Sequence, residues 1–188
     1  SELEIGGRNL YTGTKDYNGT GWKNLHLWKN DGTYNGFTVK KNSTWWNGLY
    51  QVVEVKQGEI YTFSGYAKAN GGVCYIYATS EGASFDTKYK SIEISSEWQR
   101  ISHTFVVTKS GEAAFRFEQS DKSKNIWVCG LKLEQGNNPT DWTPAPEDYS
   151  TTEQMNSAIK QSADSIKTEV NGTLNNYATT ASLELKVS

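Results

Sequence analysis

The hydrophobic pattern of this 188-residue chain changes period once, near residue 147. Before that point apolar and polar residues alternate in short runs separated by Gly, Asn, Asp and Ser. From Asp148 onward there is no Trp, Pro or Cys, and apolar residues recur at spacings of three and four. A period of two suits half-buried strands and a period near 3.6 suits helices, so the two parts cannot share one architecture. The hinge is Asp141-Trp142-Thr143-Pro144-Ala145-Pro146-Glu147-Asp148, whose prolines remove backbone donors and interrupt either ladder. The expected organisation is a β module over 1–147 and a helical stalk or connector over 148–188, with a terminal strand.

Within the first part, strands are predicted at 49–55, 60–69, 73–79, 89–94, 98–108, 113–119 and 126–134, and 18–47 is expected to be mostly loop with short strands. Turns at Gln57-Gly58-Glu59, Asn70-Gly71-Gly72, 109–112 and 121–124 separate them. No convincing helix intervenes, which predicts an all-β antiparallel sandwich, and the long connections favour a jelly roll over a meander. Alternation turns Phe63 and Gly65, Cys74, Ile76 and Ala78, Phe115 and Phe117, and Cys129, Leu131 and Leu133 inward. Where these strands share a sheet, Tyr66, Lys68, Tyr75, Tyr77, Arg116, Glu118 and Lys132 would gather on its outer face. Trp98 and Trp127 fall on core-facing registers and are read as framework, and Trp142 is read as a plug at the base.

Past the hinge, Ser150-Thr151-Thr152-Glu153 offers a helix start. Asn156, Ile159, Ala163, Ile166, Val170 and Thr173 then form a short a/d seam, which predicts a coiled coil and a homotrimer through 151–173. Leu183, Leu185 and Val187 alternate with charged residues, a strand-like ending.

The net charge of −2 gives no electrostatic case for a nucleic-acid partner. No apolar run approaches the ~20 residues of a membrane span, so membrane insertion is not expected. Cys74 and Cys129 could form a disulfide or stay as two buried thiols on neighbouring strands, the reading favoured for small apolar side chains. With His26 and His103 they make no zinc framework, and no metal or other cofactor is predicted. Glu54, Asp86, Glu93, Glu118 and Asp121 are available carboxylates, but none lies in a catalytic motif, so the chain is not expected to be an enzyme.

The seven Trp and eleven Tyr point to ring-mediated binding. A sugar presents weakly apolar C–H faces and a rim of hydroxyls, which calls for flat rings and a few polar side chains. The candidate ligand contacts are Trp22 and Trp28 in the polar loop region, the Trp45-Trp46 pair, Tyr75 and Tyr77 on one strand face, and Arg116 with Glu118. Adjacent strand residues face opposite ways, so at most one of Trp45 and Trp46 is expected to be core.

Five stretches carry a family resemblance: Gly7-Arg8-Asn9-Leu10, Tyr61-Thr62-Phe63-Ser64-Gly65-Tyr66-Ala67-Lys68, Trp98-Gln99-Arg100, Gly130-Leu131-Lys132-Leu133-Glu134-Gln135-Gly136, and Thr140 through Asp148. Together, over roughly 6–148, they resemble a carbohydrate-binding module of bacteriophage tail and baseplate proteins, the receptor-binding or tail-tip proteins of phages that infect Gram-positive bacteria. The resemblance implies a galactose-binding-like jelly-roll sandwich, non-catalytic binding of a bacterial cell-wall or surface saccharide, other phage tail proteins as partners, and a place on the virion. Some related modules hold a structural calcium ion, but this chain has no dense Asp/Asn ligand cluster. Two other readings stand beside it: a structural spacer or trimerisation module of a tail fibre with no glycan ligand, and a glycan hydrolase or lyase.

Overall fold

The computed structural model describes residues 7–149 apart from 43, 80 and 81, together with Lys160. The heptad seam at 156–173, the trimer contact at 151–173 and the strand-like ending at 183–187 lie outside the described residues. The strands are β1 (Lys29–Tyr34), β2 (Phe37–Asn42), β3 (Val53–Val55), β4 (Ile60–Ala69), β5 (Val73–Tyr77), β6 (Ser84–Phe85), β7 (Tyr89–Glu93), β8 (Gln99–Lys109), β9 (Gly111–Ala113), β10 (Arg116–Gln119) and β11 (Ile126–Gln135). All of them fall in one compact unit that ends at Asp148.

The architecture is an all-β sandwich. A six-stranded sheet runs β1-β2-β11-β4-β8-β6, and a three-stranded sheet runs β10-β5-β7 beside a β3-β9 pair. Every strand pairing among the described residues is antiparallel. The core between the sheets is built on Tyr11, Phe63, Phe105, Phe115, Phe117, Leu131 and Leu133, all nearly or fully buried. Phe63 and Phe117 meet at 4.8 Å between ring centroids. The Tyr11 hydroxyl donates to the Phe115 carbonyl at 2.6 Å, so the one polar atom of that buried ring is satisfied.

One sequence expectation is sharpened here and three are corrected. The short strands expected within 18–47 are β1 and β2, which form a hairpin whose two-residue turn is Asn35-Gly36, both at positive φ. In β11 the alternation does not run through. Gly130 sits at φ +59 and the register slips between Cys129 and Lys132. This bulge keeps Ile126 and Val128, then Leu131 and Leu133, in the main core. Cys129, expected beside Leu131 and Leu133, joins Phe37 and Val39 in a second, smaller cluster. Cys74 and Cys129 are free thiols, and they lie in different sheets rather than on neighbouring strands. Trp98 and Trp127 are also misplaced by the simple register. They are half-buried and pack on the second cluster together with Tyr34, Tyr66 and Trp142, outside the main core.

The two ends of the sandwich are laced together. The fully buried Asn9 amide donates to the carbonyls of Leu131 and Thr143, both at 3.0 Å, and its oxygen accepts from Tyr11 N and Leu133 N. Thr143 donates to the Gly7 carbonyl at 2.6 Å, Arg8 pairs with Glu147, and Gly13 N donates to the Asp148 carboxylate. Lys132 and Glu134, both fully buried, hold the closing segment: Lys132 Nζ donates to Thr140 Oγ1 and the Asp141 carbonyl, and Glu134 accepts from Thr140. Burial pushes the Lys132 ammonium below its ordinary pKa, partly offset by neighbouring Glu134. Trp142 donates its indole N–H to Thr14 Oγ1 and sets its ring against Phe37 at 4.7 Å. The opening Gly-Arg-Asn and closing Thr-Asp-Trp-Thr-Pro motifs are therefore framework.

Candidate functional site

The outer face of the three-stranded sheet is aromatic for a simple reason. On β5, Cys74 and Ile76 are fully buried, so the alternating Tyr75 and Tyr77 project the other way. Cross-strand register extends the row. Tyr89 on β7 and Arg116 on β10 both lie opposite Tyr77, and Glu118 lies opposite Tyr75. Ring centroids are 6.1 Å apart for Tyr75–Tyr77, 5.5 Å for Tyr75–Tyr89 and 5.3 Å for Tyr77–Tyr89.

The loop after β2 adds two more rings. Trp46 lies 5.8 Å from Tyr75 and 6.2 Å from Tyr77, and Trp45 lies 6.3 Å from Trp46. Both tryptophans belong to this patch and neither joins the core, in keeping with the expectation that at most one would. The segment is not a strand: Trp46 and Asn47 take φ of 56° and 61°. A bulky side chain in the left-handed region costs about 1–2 kcal/mol, so the surroundings must hold it there. They do so with Trp46 N donating to the Gln119 carbonyl at 2.8 Å and Asn42 Nδ2 donating to the Trp46 carbonyl at 3.1 Å. The loop returns through Gly48, where a Cβ would meet Glu118 Cγ and the Phe117 carbonyl at 2.8 Å. Only glycine lets the chain pass this close to β10.

Arg116 and Glu118 form an ion pair at 2.6 Å beneath the rings. Arg116 Nη1 also donates to the carbonyls of Thr79 and Ala114, and the guanidinium lies 5.2 Å from the Tyr77 centroid and 5.9 Å from that of Tyr50. Glu118 accepts from Gly48 N at 3.1 Å. The pair cancels its own charge and stiffens the platform floor. Burial, with Glu118 nearby, pushes the Tyr77 phenol above its ordinary pKa, so it remains a neutral donor.

The predicted residues thus divide. Trp45, Trp46, Tyr75, Tyr77, Arg116 and Glu118 come together. Trp22 and Trp28 do not: they are 8% and 3% exposed members of the main core. Their indole N–H groups donate to the carbonyls of Asn18 and Asn47, which lets rings from a polar stretch be buried without an orphaned donor. Their placement corrects the expectation of ligand contact. Tyr66, Lys68 and Lys132 belong to the six-stranded sheet and are absent from this face. Sequence reasoning missed Tyr89, Tyr50 and Lys122. Tyr89 is 44% exposed and Trp45 42%, the most open large rings of the patch, and the Lys122 ammonium lies 4.3 Å from the Trp45 ring centroid. Tyr89 and Tyr50 had the same signal, a place at the start of a predicted strand.

Among the described residues no group of three or more His, Cys, Asp or Glu side chains could hold a metal ion. The platform offers stacking surfaces at several angles, phenol hydroxyls and one guanidinium–carboxylate pair. Such a surface binds flat, hydroxylated molecules, and each well-seated ring contributes about 0.5–1.5 kcal/mol beyond area burial.

Comparison with protein-family models agrees with that chemistry. Residues 13–124 match the family model of the carbohydrate binding domain CBM_4_9. Among solved structures the chain is similar to the module TmCBM61 in complex with β-1,4-galactotriose, at 14% identity, with 69% of this chain and 100% of that one covered and a TM-score of 0.48. It is similar to the CBM22-1 xylan-binding domain of Xyn10C from Paenibacillus barcinonensis, at 13% identity, 60% and 81% coverage and a TM-score of 0.44. It is also similar to the N-terminal cellulose-binding domain of β-1,4-glucanase C from Cellulomonas fimi, at 17% identity, 63% and 91% coverage and a TM-score of 0.37. No curated protein matches the chain. The matched segment is more than half of the chain and contains the whole ring platform, and the chain belongs to the carbohydrate binding domain family.

Proposed function

We propose that this chain is a non-catalytic adhesion module of a phage tail or baseplate protein, and that its small-sheet platform lies against a saccharide of the bacterial surface. The observation that carries the reading is the contiguity of Trp45, Trp46, Tyr75, Tyr77 and Tyr89, each ring centroid within 6.3 Å of the next. Two of those rings are open to solvent at a level that a purely structural patch has no need of. The binding module occupies 1–147 and the connector 148–188. A few rings give weak binding per copy, so a trimer assembled through 151–173 supplies avidity. The module acts on the virion, beside other tail proteins, at the host cell surface.

The test is Tyr75→Ala with Tyr77→Ala. Loss of two rings, about 2 kcal/mol, should weaken binding to isolated host-wall polysaccharide about thirtyfold, with the circular dichroism spectrum unchanged. Binding equal to that of the unaltered chain removes this face from the reading. A chain that binds no wall polysaccharide at all favours the tail-fibre spacer. Labelled chain that decorates host cells but not cells stripped of surface glycan supports the adhesion role.

A further inference from the structure

The opposite face of the sandwich carries a second, differently charged arrangement. Across β2, β11 and β4 the register sets Lys41, Trp127 and Lys68 side by side in one row. Both ammoniums lie 5.3 Å from the Trp127 ring centroid, one from each flank. Lys68 is also 5.1 Å from the Trp98 ring, and Trp98 stacks on Tyr34 at 4.5 Å and 14°. Arg100 lies over Tyr66 at 4.7 Å at the far end of the same face. Asp31 accepts the Trp127 indole N–H at 2.6 Å. Arg100 is held by the Gly130 carbonyl and Ser64 Oγ and lies near Glu134 and Asp141, so the cations left without such partners are Lys41 and Lys68, with Asp31 the carboxylate nearest Trp127.

The row has an electrostatic cost. Two ammoniums on the strands either side of β11 repel each other across Trp127, the more so where the ring keeps water from between them. Attraction to the indole face compensates in part. Among the described residues the ion pairs are Arg8–Glu147 and Arg116–Glu118, so neither Lys41 nor Lys68 has a carboxylate partner. The small-sheet platform is the reverse case, with its floor charge cancelled internally. Unpaired cations held on flat rings match a ligand that brings both a ring and a negative charge.

We propose that the Lys41–Trp127–Lys68 row is a second saccharide site, selective for sugars that carry an anionic group, carboxylate or phosphate. The sugar ring packs along Trp127 and Trp98 while its anion sits between the two ammoniums. This site stands apart from the small-sheet platform and does not depend on it.

The test uses the 188-residue chain and matched polymers that differ in charge: polygalacturonate against its methyl ester, and phosphomannan against neutral mannan. Titration calorimetry at low and high salt should show each charged polymer binding at least about tenfold tighter than its neutral counterpart, with the preference shrinking as salt rises. Preference in the first pair alone assigns a carboxylate, in the second alone a phosphate. Lys41→Gln with Lys68→Gln should abolish the preference, Trp127→Phe should reduce it, and Tyr75→Ala with Tyr77→Ala should leave it intact. The proposal is overturned if neither charged polymer is preferred, if the preference survives the lysine substitutions in a folded chain, or if it disappears with the two tyrosines instead.

Discussion

The two outer faces of the sandwich use the same residue types to different ends. On the three-stranded sheet the rings come from β5, β7 and a strained loop, and the charge beneath them is neutralised by Arg116–Glu118. On the six-stranded sheet the β1–β2 hairpin brings Tyr34 onto Trp98 and Tyr66, and lysines lie over the indoles. Counting tryptophans and tyrosines would not separate these surfaces. What separates them is the charge among the rings: the Arg116–Glu118 pair with Lys122 alone at Trp45 on one face, and Lys41 and Lys68 together on Trp127 on the other. A contrast of burial appears within one stretch of chain, where Trp22 and Trp28 are core and Trp45 is 42% exposed.

That contrast can be broken by experiment, beginning where the effect is largest. Trp28→Ala should cost about 3–5 kcal/mol of stability in urea unfolding, the usual range for a large ring lost from a core. A Trp28→Ala chain of normal stability that fails only in saccharide binding would return Trp28 to the site. Asn9→Ala removes a buried amide that makes hydrogen bonds to Leu131, Thr143, Tyr11 and Leu133. The expected loss is about 3 kcal/mol, since several buried partners are orphaned together, and polysaccharide affinity of the folded fraction should be unchanged. Trp45→Ala should do the opposite: affinity falls about fivefold, or about 1 kcal/mol, and the urea midpoint stays in place.

The smallest effect concerns pH. Burial and the adjacent Lys90 hold the His103 imidazole below its ordinary pKa. The unfolded chain therefore takes up the proton first, and stability is full above the ordinary imidazole range and falls as pH drops through it toward the lower folded value. Thermal melts between neutral and mildly acidic pH should show this decline, and His103→Gln should flatten it. A decline of equal size in the variant would assign it to other groups.

Much of the sandwich is legible in local alternation. The strand at 60–69 follows from it, as does the one predicted at 73–79, which ends two residues early at Tyr77, and so does the outward turn of Tyr75 and Tyr77, because each depends on neighbours two residues away. Asn35-Gly36 was an equally local sign of a hairpin and passed unread among the polar residues around it. Other features have no local signature. The division of strands between sheets depends on contacts far apart in sequence, and so does the burial of Trp28, whose donor is satisfied by Asn47. Gly130 shifts the phase of β11 through one backbone angle, which a hydrophobic pattern does not record. Trp46 escaped for the same reason: its left-handed backbone is imposed by Asn42 and by Gln119, 73 positions along the chain.

The bond from Thr143 to Gly7 means that the chain enters and leaves the sandwich at neighbouring points. Everything between them is a closed excursion. Exchanging it for another sandwich with ends equally close would keep the spacing of the two join points, since they already lie side by side. A sandwich with this geometry can be traded as a cassette, carrying one glycan preference out and another in, without rebuilding whatever holds it.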